Sequence, residues 1–336
     1  EKQTAWNVDC FTTVSDITAN ECRELLDKEV DVVLPNGFED DFVPKSNAFT
    51  SKRKHARAEL LRVANCLTGD TFDDNTLIVS TSGRYEFRNK GIDVFIDAMS
   101  RLRFDERLNK KVVAFIDVPA WVENAREDLA ERLKAKANIT FDTPLQCPML
   151  THWLHNMDQD KALSMLRSLD FANNKQDKVK IIFVPCYLNG NDGIFNMPYY
   201  DLILGNDLCV YPSYYEPWGY TPLEAVAFSI PCITTDLAGF GIWAQHVLAD
   251  EKAENSLENG VKIVHRTDYN YHEVADEIKN AVTNYALLAK TEVTKAREKA
   301  KSLSKKALWK KFIAYYEDAY DMALRKAEER KKQEKK

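Results

Sequence analysis

Short apolar runs alternate with amphipathic stretches along most of the 336 residues. Residues 77–81, 112–116, 179–184, 207–211 and 231–235 are compact apolar runs bounded by polar positions, as expected of strands buried on both faces of a parallel sheet. Helical patterns lie between them. Residues 52–66 are basic and amphipathic, and residues 92–102 place Val94, Phe95, Ala98 and Met99 on one face. Residues 125–136, 158–169, 199–204 and 221–228 read as further helices, and residues 189–193 as a loop. Strands alternating with helices predict parallel βαβ units and hence a doubly wound sheet. The first fifty residues read as strand 10–14, helix 17–28 with Ile17, Cys22, Leu25 and Leu26 at helical spacing, strand 30–34, and a turn at 35–38. From residue 271 the pattern is almost wholly helical. It ends in a charge run over 325–336, expected to be a solvated helix end. No internal repeat is visible.

Composition narrows the class. Apolar residues are 45% and charged residues 29%, ordinary for a globular domain, and the length allows a sizeable core. A net charge of −6 gives no basic surface for nucleic acid. No apolar run reaches membrane-spanning length, and no signal peptide is visible. The seven cysteines lie without a C-x-x-C pair, which suggests reduced thiols and a cytoplasmic setting. The six histidines carry no strong ligand motif. His152 and His155, three apart, are expected to be structural rather than metal-binding.

Candidate chemistry concentrates at residues 207–228. A buried strand runs into Glu216-Pro217-Trp218-Gly219-Tyr220, and Thr221-Pro222 then opens a helix, with Thr221 suited to the N-cap and Pro222 to the first helical position. Loops at strand C-termini that feed helix N-termini are where open α/β sheets hold ligands, and the free N–H groups favour an anion. Glu216 and Glu224 add hydroxyl acceptors, so a sugar phosphate would fit. The plain alternative is a surface turn with Glu224 solvated and Trp218 in the core. Arg84 and Lys90 lie in a second loop of the same kind, where two cations could neutralise a diphosphate or could simply be solvated.

Residues 211–225, Y-P-S-Y-Y-E-P-W-G-Y-T-P-L-E-A, resemble the donor-site motif of glycogen synthases of the animal and fungal type, whose E-x7-E pair is matched by Glu216 and Glu224. Residues 234–241, T-T-D-L-A-G-F-G, and 82–91, S-G-R-Y-E-F-R-N-K-G, carry the likeness further. So do F-T-T-V-S at 11–15 and P-N-G at 35–37. Thr151-His152 and His155-Asn156 are similar to the family's C-T-H-N segment, without an evident mechanism.

The resemblance implies a C-terminal Rossmann-like domain of a GT-B glycosyltransferase at residues 51–305. A remnant of the N-terminal domain would occupy residues 1–50, and a C-terminal helix with a charged tail residues 306–336. The chain, which opens on Glu1, would be the C-terminal portion of such a protein in a bacterial-style relative. The implied reaction is retaining transfer of glucose from UDP-glucose to the 4-hydroxyl of an α-1,4-glucan. Arg84 and Lys90 would hold the diphosphate and Glu216 would lie over the donor sugar; these three are the catalytic candidates. Tyr199 would stack on the base (with Tyr200 a neighbouring alternative), Tyr220 and Thr221 would offer backbone N–H groups, and Glu224 would bond the ribose. Gly219 and Asn36 complete the donor-binding set.

Neither a cofactor nor a metal is expected, since fixed cations meet the leaving group. The expected partners are nucleotide sugar and glucan, without nucleic acid or membrane, and a homo-oligomer is allowed. Two other readings stay open: a nucleotide-sugar-binding fragment without turnover, and a glycogen phosphorylase, for which no pyridoxal-phosphate lysine motif is seen. The family's arginine-rich regulatory helix is matched near residues 288–304 only by Lys290, Lys295, Arg297, Lys299 and Lys301. That departure weighs against control by glucose 6-phosphate.

Overall fold

The computed structural model describes residues 1–136 and 139–333. Among the described residues ten strands are formed: β1 Thr12–Thr13, β2 Val32–Val33, β3 Leu77–Ser82, β4 Val112–Asp117, β5 Val122–Ala125, β6 His152–Leu154, β7 Val179–Val184, β8 Leu208–Val210, β9 Cys232–Thr235 and β10 Val261–Val264. The helices are α1 Lys2–Asn7, α2 Asp16–Leu26, α3 Ser46–Thr68, α4 Ile92–Arg103, α5 Glu127–Lys134, α6 Lys161–Ser168, α7 Tyr199–Leu202, α8 Tyr220–Ala227, α9 Gly239–Asp250, α10 Tyr271–Leu287, α11 Lys290–Ser304 and α12 Trp309–Gln333.

Six strands make one parallel sheet in the order β10-β9-β8-β3-β4-β7. The chain winds outward from β3 through β4 to β7, then returns to the other side of β3 and winds through β8 and β9 to β10. That reversal puts a topological switch point between β3 and β8, where the crevice above the strand ends is open for a ligand. Alternate residues of each strand face opposite sides. Ile78, Val113, Phe115 and Cys209 pack with Leu60 of α3, Leu223 of α8, Phe240 of α9 and Leu303 of α11. Val79, Ala114, Ile116 and Val210 pack with Phe95 of α4, Leu166 of α6 and Ile278 of α10. Both faces are covered by helices, which explains why the strands read as unbroken apolar runs.

The first segment is a small β1-α2-β2 unit, its two strands parallel with Thr12 opposite Val32. Ser15 caps α2, its side chain accepting from the Thr18 N–H while the Thr18 side chain accepts from the Ser15 N–H. A two-stranded sheet this short is marginal alone. It is held by α12, which runs back across it: Lys326 bonds Asp31 at 2.6 Å, Arg330 pairs with Asp9, and the Trp309 N–H donates to the Phe38 carbonyl at 3.1 Å. The 325–336 charge run is therefore not simply a solvated helix end, because its basic residues answer acidic ones on the first segment; residues 334–336 lie outside the described residues. Basic residues in the last turns of α12 also suit the helix dipole.

The antiparallel pairing of β5 with the distant β6 delays the expected 125–136 helix, so that α5 starts at Glu127. Arg126 at the junction is fully buried, bonds the Cys147, Leu150 and Gln146 carbonyls, and pairs with Asp128. The expectation that Thr221 caps α8 is also corrected. Gly219 is the cap, at φ 104°, so Tyr220 is the first helical residue and Pro222 the third. The missing N–H of Pro222 still costs nothing there, because first-turn N–H groups have no intrahelical partner. Among the described residues no helix is long and apolar enough to cross a membrane.

Candidate functional site

Two loops meet over the switch point. One follows β3 and carries Arg84 and Lys90; the other follows β8 and carries Glu216 and Gly219. A backbone bond stitches them together, the Tyr214 N–H donating to the Asn89 carbonyl at 2.7 Å, and Thr235 Oγ1 of β9 steadies the second loop by donating to the Ser213 carbonyl at 2.7 Å. Gly91, at φ 67°, starts α4 so close to Pro212 that a Cβ there would strike the Pro212 carbonyl. Glycine, with no Cβ, is the residue that permits both this approach and the positive φ.

This stitching brings Lys90 Nζ onto Glu216 Oε2, an ion pair with both side chains mostly shielded. Burial, and after it the Arg84 guanidinium, pulls the Lys90 ammonium below the ordinary lysine range, with Glu86 opposing. Contact with a carboxylate favours the charged form, so we take Lys90 to be a cation. Arg84 is exposed and pairs with Glu86 at 2.9 Å.

The Glu216 loop is braced from behind. Its Glu216 N–H donates to the Leu237 carbonyl at 3.0 Å, and its carbonyl accepts from the Gly239 N–H at 3.0 Å. Trp218 is 3% exposed and lies with its ring centroid 6.2 Å from Phe240, 6.2 Å from Trp243 and 6.1 Å from Phe312. Aromatic pairs of this kind contribute about 0.5–1.5 kcal/mol each beyond burial. Trp218 is thus the core anchor that the plain reading supposed, and it fixes the loop that carries Glu216.

Tyr220 and Thr221 form the open first turn of α8, with no side chain capping their N–H groups. On the next turn Glu224 is half-buried; burial raises its carboxyl pKa, and the Tyr200 hydroxyl, donating at 2.8 Å, opposes that. The two adjacent tyrosines separate. Tyr200 stacks on Phe42 with centroids 4.9 Å apart, whereas Tyr199 bonds Ser82 Oγ at 2.7 Å and lines a cleft. That cleft, about 280 Å³, is bounded by Ser82, Gly83, Asp117, Tyr187, Tyr199 and Thr221.

The nine expected residues therefore fall into three groups. Lys90 and Glu216 touch. Tyr199, Gly219, Tyr220, Thr221 and Glu224 surround the cleft and the α8 start, with Arg84 next to cleft-lining Gly83. Asn36 lies apart, half-buried between Pro35 and a glycine packed on Trp309, and shares no hydrogen bond with the other eight.

Sequence reasoning missed Asp117, at the end of β4, whose Oδ1 is buried with no partner. It also missed a cluster of His152, Cys186 and Asp192, whose ligand-type atoms lie within 4.8 Å of one another. Those atoms are engaged. His152 bonds Thr151 Oγ1 and the Asp192 carbonyl, each at 2.8 Å. The Asp192 carboxylate accepts from the Ile194, Phe195 and Asn196 N–H groups, and burial pushes the Cys186 thiol up to about 12. The cluster reads as a loop clamp. A larger cavity of about 700 Å³ flanks the 84–90 loop on its other side, but its Arg266 is committed to the Pro212 carbonyl and the Tyr214 ring. On α11, Arg297 turns inward, and burial lowers its guanidinium to about 10.

Comparison with known proteins gives these features a family. A family model described as glycogen synthase matches residues 1–143 and 132–336. The chain is 30% identical over 389 residues to a glycogen [starch] synthase of Neurospora crassa, covering 97% of this chain and 53% of that protein. It is 30% identical over 370 residues to the liver glycogen [starch] synthase of Homo sapiens, covering 94% and 52%. The chain thus spans about half the length of these relatives. WaaG, a glycosyltransferase involved in lipopolysaccharide biosynthesis, superposes with a TM-score of 0.52 at 14% identity, covering 93% of this chain and 62% of that one. A sucrose-phosphate synthase from Thermosynechococcus elongatus gives 0.51 at 18%, covering 96% and 60%. These two share the α/β fold, that of the GT-B glycosyltransferases. Stitched loops, an E-x7-E pair on them and matches along the whole chain agree: this chain belongs to the glycogen synthase family.

Proposed function

We propose that this chain carries the donor-nucleotide side of a retaining glucosyltransferase that moves glucose from UDP-glucose to the 4-hydroxyl of an α-1,4-glucan. The observation that carries the reading is the Lys90–Glu216 contact beneath the open start of α8, at the switch point of the sheet. In this reading Arg84, Lys90 and the Tyr220 and Thr221 N–H groups receive the diphosphate. Glu224 takes the ribose hydroxyls, Tyr199 the base, and Gly219 lets the backbone turn into the helix. Asn36 would approach from the first segment.

As the bond from the anomeric carbon to the diphosphate breaks and the acceptor 4-hydroxyl oxygen bonds that carbon, giving its proton to the departing phosphate oxygen, positive charge grows on the sugar and negative charge on the phosphate. In this reading Glu216 meets the first and the cations with the helix start meet the second. Lys90 faces both: its contact with Glu216 positions that carboxylate until phosphate arrives to share the ammonium. No step needs a divalent metal, and a cytoplasmic location suits reduced thiols. The test is incorporation of labelled glucose from UDP-glucose into glycogen by this chain and by a full-length relative, in excess chelator. Incorporation that persists supports the reading. Incorporation that vanishes and returns with Mg²⁺ removes the metal-free mechanism. UDP binding without incorporation by this chain would make it a binding module.

A further inference from the structure

Asp117 stands out among the described residues that line the cleft, because it combines burial with a missing partner. Its Oδ1 is buried without a hydrogen-bond partner, at the C-terminal end of a strand whose other residues are packed on both sides. Unpaired buried carboxyls cost folding free energy and persist where a partner arrives from outside. The surrounding wall suits a flat ring: Tyr199 on one side, Pro119, Leu188 and the exposed Tyr187 ring around it. Thr221, the phosphate end of the proposed donor site, borders the same space. A base resting on Tyr199 would turn its hydrogen-bonding edge toward the floor, where Asp117 lies.

We infer that Asp117 reads the donor's nucleobase, its carboxyl accepting the ring N–H of uracil. This inference rests on the proposed donor site and deepens it. Adenine offers a bare ring nitrogen at the equivalent edge, an acceptor facing an acceptor, so the ionised carboxylate disfavours ADP, and titrations at about pH 8 and above read that preference. Selectivity of this kind is strong where a site holds a buried polar group that the wrong ligand leaves unpaired. Burial alone pushes the Asp117 carboxyl up to about 7, and the titratable groups around it are the neutral Tyr199 and Tyr211 phenols and the Cys186 and Cys209 thiols. No fixed cation competes with the base for it.

The experiment is calorimetric titration of the whole chain with UDP, N3-methyl-UDP and ADP, repeated for Asp117→Ala and Asp117→Asn. The unmodified protein should bind UDP about tenfold more tightly than N3-methyl-UDP, the scale of one buried hydrogen bond with its desolvation cost. Asp117→Ala should bring the three ligands to within a few fold of one another, while Asp117→Asn, whose amide oxygen still accepts, should retain most of the preference for UDP over N3-methyl-UDP and lose that over ADP, because its N–H can donate to the bare adenine nitrogen. Equal affinity for UDP and N3-methyl-UDP in the unmodified protein would overturn the inference and leave the donor site standing, as would a preference that survives in Asp117→Ala. If the unmodified protein binds no UDP, the donor site itself falls, and the inference with it.

Discussion

Asp207 and Asp117 are both buried carboxylates on the central sheet, at opposite ends of neighbouring parts of it. Asp207 enters β8 at the bottom. Burial would raise its pKa, but Arg57 and Arg53 hold it below the usual carboxylate range, through contacts of 2.6 and 2.8 Å, and the Ile78 N–H adds a bond of 2.9 Å. Asp117 leaves β4 at the top, has no counter-charge, and is pushed up to about 7 by burial. The bottom carboxylate is fully answered by the protein and ties α3 to β3 and β8. The top one is left for something the protein does not contain. In a doubly wound sheet that asymmetry separates what holds the fold from what serves the ligand.

The sharpest way to break the contrast is Asp207→Ala. It takes the counter-charge from two guanidinium groups and leaves them only backbone carbonyls, and removing one partner of a buried ion pair costs about 3–5 kcal/mol. Denaturant unfolding should show that loss without any specific effect on UDP beyond what instability brings. A variant as stable as the parent would make Asp207 ordinary.

At the top, losses should appear in function rather than stability. Glu216→Gln keeps shape and removes the charge proposed to matter as the sugar becomes cationic, so in an active full-length relative kcat should fall by about 10²-fold or more. UDP affinity should stay within a few fold. Glu224→Gln should do the reverse, weakening UDP through the ribose. Steady-state kinetics paired with calorimetry separates the two, and a near-normal kcat for Glu216→Gln would return it to a structural carboxylate paired with Lys90. Next in size, Arg84→Ala and Lys90→Ala should each cost about 1.5–3 kcal/mol of UDP binding. Unchanged affinity in both would mean the groove is misassigned. Lys90→Ala also frees Glu216, so its unfolding curve checks that the loss lies in binding.

What could be read from the chain follows the same division. Strands β3, β4 and β7 were legible because burial on both faces makes their pattern local: an apolar run with polar ends. The two site loops were legible because their residue types are unusual together. Other features had no local signal. β10 is four residues long and interrupted by Lys262, α9 opens with two glycines that look like a turn, and β5 and β6 pair at a distance with polar Glu123 and Asn124 exposed. The return of α12 to the first segment depends on pairs such as Lys326 with Asp31, nearly the whole chain apart. Asp117 was invisible for a related reason: one carboxylate after an apolar run looks like a strand end until Tyr199 and Thr221 are seen across the cleft.

The response to pH sharpens the comparison most, because the two carboxylates should respond with opposite sign. The Asp207 carboxyl is held below its unfolded value, so its stabilisation is present above about pH 4 and is lost as pH falls through the folded value. The folded pKa of Asp117, about 7, lies above the unfolded value of about 3.9. Below about pH 4 both states hold the proton and the group is neutral to stability. Between about pH 4 and 7 the unfolded chain gives up its proton while the folded one retains it, so stability drains away as pH rises, and above 7 the penalty is constant. Asp117→Asn stays uncharged throughout. Its unfolding free energy should match the parent's near pH 4 and exceed it by up to about 4 kcal/mol at pH 8, since the folded and unfolded pKa values lie about three pH units apart at about 1.36 kcal/mol each. Saturating UDP should narrow the difference at pH 8 by giving the carboxylate a partner. Parallel pH–stability curves for parent and variant would mean that Asp117 is solvated in solution, and the contrast with Asp207 would then be one of packing alone.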